Sequence, residues 1–314
     1  MRVVFMGTPA FALPSLEALL AAGYAVVGVV TQPDRPVGRR PGPQPPPLKR
    51  LAVERGLPLA QAQRLREPAA QAQLAAWQPD IIVVVAFGQL LPPEVLRLPR
   101  FGCLNVHASL LPQLRGAAPV AASIAAGLST TGVTIMLMDE GLDTGPILAQ
   151  AAEPIRPDDT TPALGERLSR LGARLLVETI PAWAQGRITP RPQDASQASY
   201  SPRLRREDGE VHWRRPAAEL HRLWRAYQPW PGLYTWWHAD TGERQMLKLL
   251  AVRAVEGWRG DLPPGRVFVL PVAASAPAAA GGDQGEALAV ATGAGALVLD
   301  RLQGAGGRPM EAAA

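Results

Sequence analysis

The stretch Arg2-Val3-Val4-Phe5-Met6-Gly7, followed by a leucine-rich run with Leu13, Leu16, Leu19 and Leu20, and then by Ala25-Val26-Val27-Gly28-Val29-Val30-Thr31, decides the fold. The first and last pieces are continuous apolar runs of strand length. The middle piece repeats leucine at helical spacing and stops at Gly23, a residue suited to ending a helix. Strand, helix, strand is a parallel crossover unit, and strands without polar alternation are buried on both faces. Working outward, a helix is expected around Glu67–Trp77. Further strands are expected at Ile81–Ala86, Cys103–His107 and Thr131–Met138. The predicted class is α/β, with a Rossmann-like, mostly parallel sheet.

The turn after the first strand reads Gly7-Thr8-Pro9-Ala10-Phe11-Ala12 and lacks the second and third glycines of a dinucleotide fingerprint, which disfavours a nicotinamide cofactor. From Thr189 to Arg206 the pattern becomes polar and proline-containing, as in linkers. Beyond it, short strand-like pieces (Leu247–Val252, Arg266–Leu270, Ala287–Ala291, Ala296–Leu302) are separated by Gly/Pro turns and suggest a small C-terminal β-barrel of OB-like type. Ala273–Gly282 reads as a flexible loop. The expected division is a catalytic domain at 1–188, a linker at 189–206 and a barrel domain at 207–314.

With 314 residues, 47% hydrophobic and 19% charged, the chain suits two packed domains of roughly 100 to 200 residues each. No apolar run approaches the roughly 20 residues of a membrane span, and Met1–Met6 has no signal-peptide character, so a cytoplasmic protein is expected. One cysteine, Cys103, and four histidines form no zinc-like spacing, and no metal is expected. The net charge of +5 comes almost wholly from arginine, Lys49 and Lys248 being the only lysines. Such a balance suits an acidic partner, and a genome-wide arginine bias produces it equally well.

Asn105 and His107 alternate onto one face at the end of a buried strand, and in open α/β sheets ligands bind at the carboxyl ends of strands. The loop Asp139-Glu140-Gly141-Leu142-Asp143-Thr144-Gly145 adds three carboxylates. Together with Asn105-Val106-His107, the words Ser109-Leu110-Leu111-Pro112, Arg115-Gly116-Ala117-Ala118-Pro119, Thr131-Gly132-Val133-Thr134 and Gly141-Leu142-Asp143-Thr144-Gly145 resemble the folate-dependent formyltransferase family. That resemblance implies 10-formyltetrahydrofolate as co-substrate, with Asn105, His107 and Asp143 as the catalytic residues.

In the family's chemistry an amine attacks the formyl carbon. N–H donors on Asn105 and His107 stabilise the developing oxyanion, and Asp143 orients the imidazole and assists proton removal. The resemblance also places Ser109, Leu110, Leu111 and Pro112 beside the folate, Phe87, Gly88 and Leu90 along the pterin pocket, and Met138 and Asp139 as folate-contacting loop residues. Cys103 is expected to be inert packing.

The acceptor is indicated by four further likenesses, which together extend over nearly the whole chain. Met6-Gly7-Thr8-Pro9-Ala10-Phe11-Ala12 resembles the tRNA-acting branch of the family, as do Arg222–Gly232 and the end at Leu302–Met310. The loop Gln32–Arg40 contributes Arg35, Arg39 and Arg40 where that branch carries a basic loop, although Pro41–Pro47 replaces its lysine-containing stretch. Arg203, Arg205 and Arg206 begin an arginine-rich run, the first standing where a lysine is usual. It alternates with Trp213, Trp224, Tyr227 and Trp230, aromatics expected to pack rather than stack on bases. The implied partner is initiator methionyl-tRNA, bound by a monomer through Arg35, Arg39, Arg40, Arg203, Arg205 and Arg206. A nucleotide-sugar N-formyltransferase and a catalytically inactive tRNA-binding protein are the alternatives.

Overall fold

The structure is a computed structural model that describes residues 1–36, 42–238, 242–271 and 286–312. Arg39, Arg40 and all of the expected loop at 273–282 therefore lie outside the described residues. The chain divides into two compact units: one of residues 1–120, 129–155 and 163–202, the other of 121–128, 156–162 and 203–314. The first runs past the sequence boundary at 188 to take in most of the polar stretch at 189–206.

The first unit is built on seven strands: β1 (Arg2–Gly7), β2 (Ala25–Thr31), β3 (Leu59–Gln61), β4 (Ile81–Val85), β5 (Cys103–His107), β6 (Thr130–Leu137) and β7 (Ile147–Pro154), in the order β7-β6-β5-β4-β1-β2-β3. The strands β3-β2-β1-β4-β5 are mutually parallel, and β6 and β7 extend the sheet antiparallel. Val3, Val4, Phe5, Met6, Ile81, Ile82 and Val83 are all fully buried. Each large side chain buried this way contributes about 1.5–3 kcal/mol, which explains the continuous apolar runs. The edge strand β7 was not foreseen, because Ile147-Leu148-Ala149-Gln150-Ala151-Ala152-Glu153-Pro154 is mostly half-buried and shows neither an apolar run nor a clear alternation.

Helices α1 (Leu13–Ala21), α2 (Pro47–Glu54) and α3 (Pro68–Ala76) each carry a proline in the first two positions and no side-chain cap. Proline lacks the N–H that a helix start leaves unpaired, so part of the chain's proline content serves as helix starts. Two glycines mark close approaches. A Cβ on Gly28 of β2 would lie 2.3 Å from the Trp77 ring. One on Gly172, inside α4 (Thr161–Ala184), would lie 2.7 Å from Val106, so the helix can press on β5 only without a side chain there.

The second unit contains α5 (Ala217–Ala226) and the strands β8 (Leu233–His238), β9 (Arg244–Val255), β10 (Val267–Pro271), β11 (Glu286–Ala291), β12 (Ala296–Gly304) and β13 (Pro309–Glu311), with one core of α5, β8, β9, β11 and β12 and a second of β10, β11 and β12. The strand order is β8-β9-β12-β11-β10, with β13 on β12, all antiparallel. The expected barrel domain thus takes the form of a curled half-barrel. Trp213, Trp224 and Tyr227 pack against Val211, Leu220, Leu233 and Leu297, as expected for aromatics at core positions, whereas Trp230 is half exposed.

Candidate active site

The sheet changes winding direction between β1 and β4, so the loops after Gly7 and Val85 diverge there. They are tied together. Thr8 Oγ1 and Gln32 Nε2 both donate to the Phe87 carbonyl, at 3.4 and 3.2 Å, joining the carboxyl ends of β1, β2 and β4. One strand further along, β5 presents Asn105 and His107, 9% and 6% exposed.

Val106, between them, points to the opposite face against Gly172, so pleat and helix packing together aim both polar side chains away from α4. The loop after β6 brings Asp143 onto that face. Asn105 Nδ2 donates to Asp143 Oδ1 at 3.2 Å, the Gly116 N–H donates to Oδ2 at 2.8 Å, and His107 Nδ1 lies 3.6 Å from Oδ2. The three residues, 38 positions apart at the extremes, thus form one constellation.

The orientation of each group follows from its partners. His107 Nε2 lies 3.0 Å from the Leu114 carbonyl, which can only accept, so Nε2 carries a proton and Nδ1 faces the Asp143 carboxylate. A proton delivered to Nδ1 would be shared with Asp143. Asn105 spends one amide N–H on Asp143, and its second makes no hydrogen bond among the described residues. An oxyanion addressed to His107 Nε2 has to share that N–H with Leu114.

Of the positions assigned to the folate, Ser109 and Leu111 are buried, at 1% and 3% exposure, while Leu110 and Pro112 are half-buried. This turn contains a cis Leu111–Pro112 bond and is braced from β6 and β7. Thr134 Oγ1 donates to the Ser109 carbonyl at 2.7 Å, and Gln150 Nε2 donates to the Leu111 carbonyl at 2.9 Å. Phe87 packs into the main core with Met138 against its edge, Gly88 has φ +83°, and Leu90 is 66% exposed. Asp139 is exposed and accepts from the Gly141 N–H and Thr144 Oγ1, which shape the loop that carries Asp143.

Among the arginines, Arg35 stands exposed at the base of a short hairpin, pairing with Gln44. Beside it Lys49 and Gln61 hold Asp34 by hydrogen bonds of 2.8–2.9 Å, which keep its carboxyl below the usual range. A depressed carboxyl contributes its stabilisation above the ordinary value of 3.8 and loses it only as the pH falls below that, so the clamp is complete at neutral pH. Arg203, Arg205 and Arg206 are exposed. Arg225, which lies further along the same arginine-rich run, is instead buried, with Nη1 donating to the Asp159 carbonyl at 2.9 Å.

The sequence did not assign Thr134, Gln150, Arg115, Gly116 or Gln193 a role. Thr134, Arg115 and Gly116 lie in recognisable words, but the contacts of all five are long-range and have no local signature. Cys103 is 1% exposed and burial pushes its thiol up to about 12. At pH 8 the folded protein is expected to leave it unmodified by a charged thiol reagent, whereas the denatured chain should consume one equivalent. Rapid labelling without denaturant would show the β5 environment to be open.

Residues 1–180 match the formyl transferase family, and residues 203–314 match the formyl transferase C-terminal domain. The methionyl-tRNA formyltransferase of Roseiflexus sp. strain RS-1 is 46% identical over 314 residues, covering 100% of this chain and 91% of that protein. Among solved structures, the sugar 3N-formyl transferase WlaRD, determined in the presence of dTDP and 5-N-formyl-THF, superposes with a TM-score of 0.65 at 16% identity, over 95% of this chain and 96% of that one. HypX from Aquifex aeolicus, in complex with tetrahydrofolic acid, gives 0.60 at 18% identity over 99% of this chain, which spans about half of HypX (46%). These two likenesses are of fold.

Proposed function

This chain belongs to the formyl transferase family, and from that premise we propose that it transfers the formyl group of 10-formyltetrahydrofolate to the α-amino group of initiator methionyl-tRNA. The observation that carries the acceptor is the 46% identity to a methionyl-tRNA formyltransferase over all 314 residues, second unit included. A tRNA-acting enzyme needs both the chemistry of the first unit and a phosphate-binding surface, which exposed Arg203, Arg205 and Arg206 begin to provide.

The first unit suits a folate co-substrate. Asn105 keeps a donor free, Gly88 takes a positive φ after β4, and Leu90 and the half-buried Leu110 expose apolar surface. The folate supplies the formyl carbon on its N10 nitrogen. Asn105 donates its second amide N–H to the carbonyl oxygen as the amine adds. Asp143, through His107 Nδ1 or an intervening water, takes the proton the amine must shed, and returns it to the departing nitrogen. The new N–C bond and the broken C–N10 bond leave the enzyme unchanged.

Purified protein given 10-formyltetrahydrofolate and either initiator or elongator methionyl-tRNA is expected to form formyl-methionine on the initiator alone. Formylation of an amino-sugar nucleotide with neither tRNA accepted would overturn the acceptor assignment and leave the chemistry standing. kcat/KM for tRNA should also fall steeply with salt, as counterions are released at each phosphate contact, and Arg39→Ala/Arg40→Ala should flatten that dependence. A salt-independent kcat/KM would remove the phosphate-binding role.

A further inference from the structure

The side-chain amide of Gln193 makes four hydrogen bonds. Its Oε1 accepts from Arg115 Nε and Nη2 at 3.1 and 2.8 Å, and its Nε2 donates to the carbonyls of Asp143 and Gly145 at 2.9 and 2.7 Å. A primary amide has two N–H donors and one oxygen with two lone pairs, so its capacity is filled. The orientation is unambiguous, since a guanidinium can only donate and a backbone carbonyl can only accept. Arg115 is 4% exposed, which makes this pairing a buried and directional one.

The segment carrying Gln193 is itself fixed. Two residues earlier, Arg191 exchanges backbone hydrogen bonds with Ile147 at 2.8 and 2.9 Å. Ser199 and Ser201 then pair with Arg115 and Ala117. Asp143 has φ +54°, a left-handed conformation that a non-glycine residue holds only when its surroundings impose it. Gln193 grips the backbone of that residue and of Gly145, leaving the carboxylate to meet Asn105 and the Gly116 N–H.

We infer that Gln193, oriented by Arg115, is a positioning residue that sets the place of the Asp143 carboxylate, so that its loss lowers kcat and leaves the KM values for both substrates unchanged. The inference rests on the proposed reading that Asp143 acts in formyl transfer. It makes the polar stretch after α4 part of the catalytic apparatus.

The test uses the full chain and three variants. Gln193→Glu keeps an oxygen for Arg115 but turns a second oxygen toward two carbonyls. Gln193→Met removes both sets of bonds at similar size. In Asp143→Asn the group being positioned is neutralised. With initiator methionyl-tRNA, Gln193→Glu is expected to melt near wild type and to lose roughly 100-fold in kcat, the order of effect of a misplacement by about 1 Å. In the Asp143→Asn background the same change is expected to add little, because both act on one step.

Should Gln193→Met fail to fold, Gln193→Glu, with Arg115 still paired, remains decisive. Wild-type kcat in folded Gln193→Glu, or a raised KM at unchanged kcat, overturns the inference and leaves the proposed chemistry intact. Wild-type activity in Asp143→Asn overturns both, so the two failures are distinguishable.

Discussion

Asn105→Ala is expected to lower kcat by about a hundred- to a thousand-fold, the typical effect of removing one oxyanion donor. The side chain is 9% exposed and holds Asp143 Oδ1 at 3.2 Å, so its second N–H is pre-aimed and needs no reorganisation when negative charge develops. Alanine removes that donor and the Asp143 contact together. Binding of the folate and of tRNA draws on other surfaces, so KM for each should move little while kcat collapses. Asn105→Asp separates the two roles: it keeps the size and replaces the donor by a second carboxylate facing Asp143, and it should be at least as impaired. Steady-state kinetics with initiator methionyl-tRNA decides the matter, and an Asn105→Ala enzyme as fast as wild type would sink the assignment of this amide to the transition state.

Gly145→Ala is expected to damage stability and activity at once. A Cβ at this position would lie 1.8 Å from the Leu137 carbonyl oxygen and 3.0 Å from its carbon, and that backbone cannot swing away as the Met136 side chain, 3.2 Å off, could. Forcing a methyl into so tight a space typically costs about 1–3 kcal/mol. The relief available is a shift of the 143–146 loop, which would carry Asp143 from Asn105 and break the Gln193 contact to the Gly145 carbonyl at 2.7 Å. The melting temperature and kcat should therefore both fall. Gly165→Ala, the same chemical change in helix α4 with nothing within 4 Å, serves as control and should stabilise by ~0.5–1 kcal/mol without touching kinetics. Equal behaviour of the two variants would mean the loop after β6 is more pliant than its contacts indicate.

The parallel strands β1, β2, β4 and β5 of the first sheet were legible because they are largely buried on both faces, and continuous Val/Ile runs are the direct chemical record of that burial; the short, half-buried edge strand β3 (Leu59–Gln61) was not. Strands with mixed environments were harder. β7 carries glutamine and alanines on an edge, and β8 begins the second sheet with Leu233-Tyr234-Thr235-Trp236-Trp237-His238, apolar and polar together. The stretch 189–206 reads as linker because it is polar and proline-containing, yet residues up to 202 belong to the first unit. Among their bonds are those to Leu114, Arg115, Asp143 and Gly145, 48 to 87 positions away. Composition reports whether a segment buries apolar surface, and it is silent about a segment held by hydrogen bonds to partners that far along the chain.

The amino-acid order alone determined the class of fold and pointed to a two-part organisation, and its short words, through the resemblance they carry, proposed Asn105, His107 and Asp143, because apolar periodicity and such words are local and survive without coordinates. Which proton His107 carries, why Asp143 adopts a left-handed backbone, and that Arg115 and Gln193 hold it there depend on distances between residues remote in sequence. Folding alone brings the Leu114 carbonyl to 3.0 Å from His107 Nε2 and the Gln193 amide to 2.9 Å from the Asp143 carbonyl. Hydrogen bonds weaken steeply beyond such distances, so the directional chemistry of the site exists only once the β5 strand, the 114–116 turn, the 138–146 loop and the 190–201 segment have met.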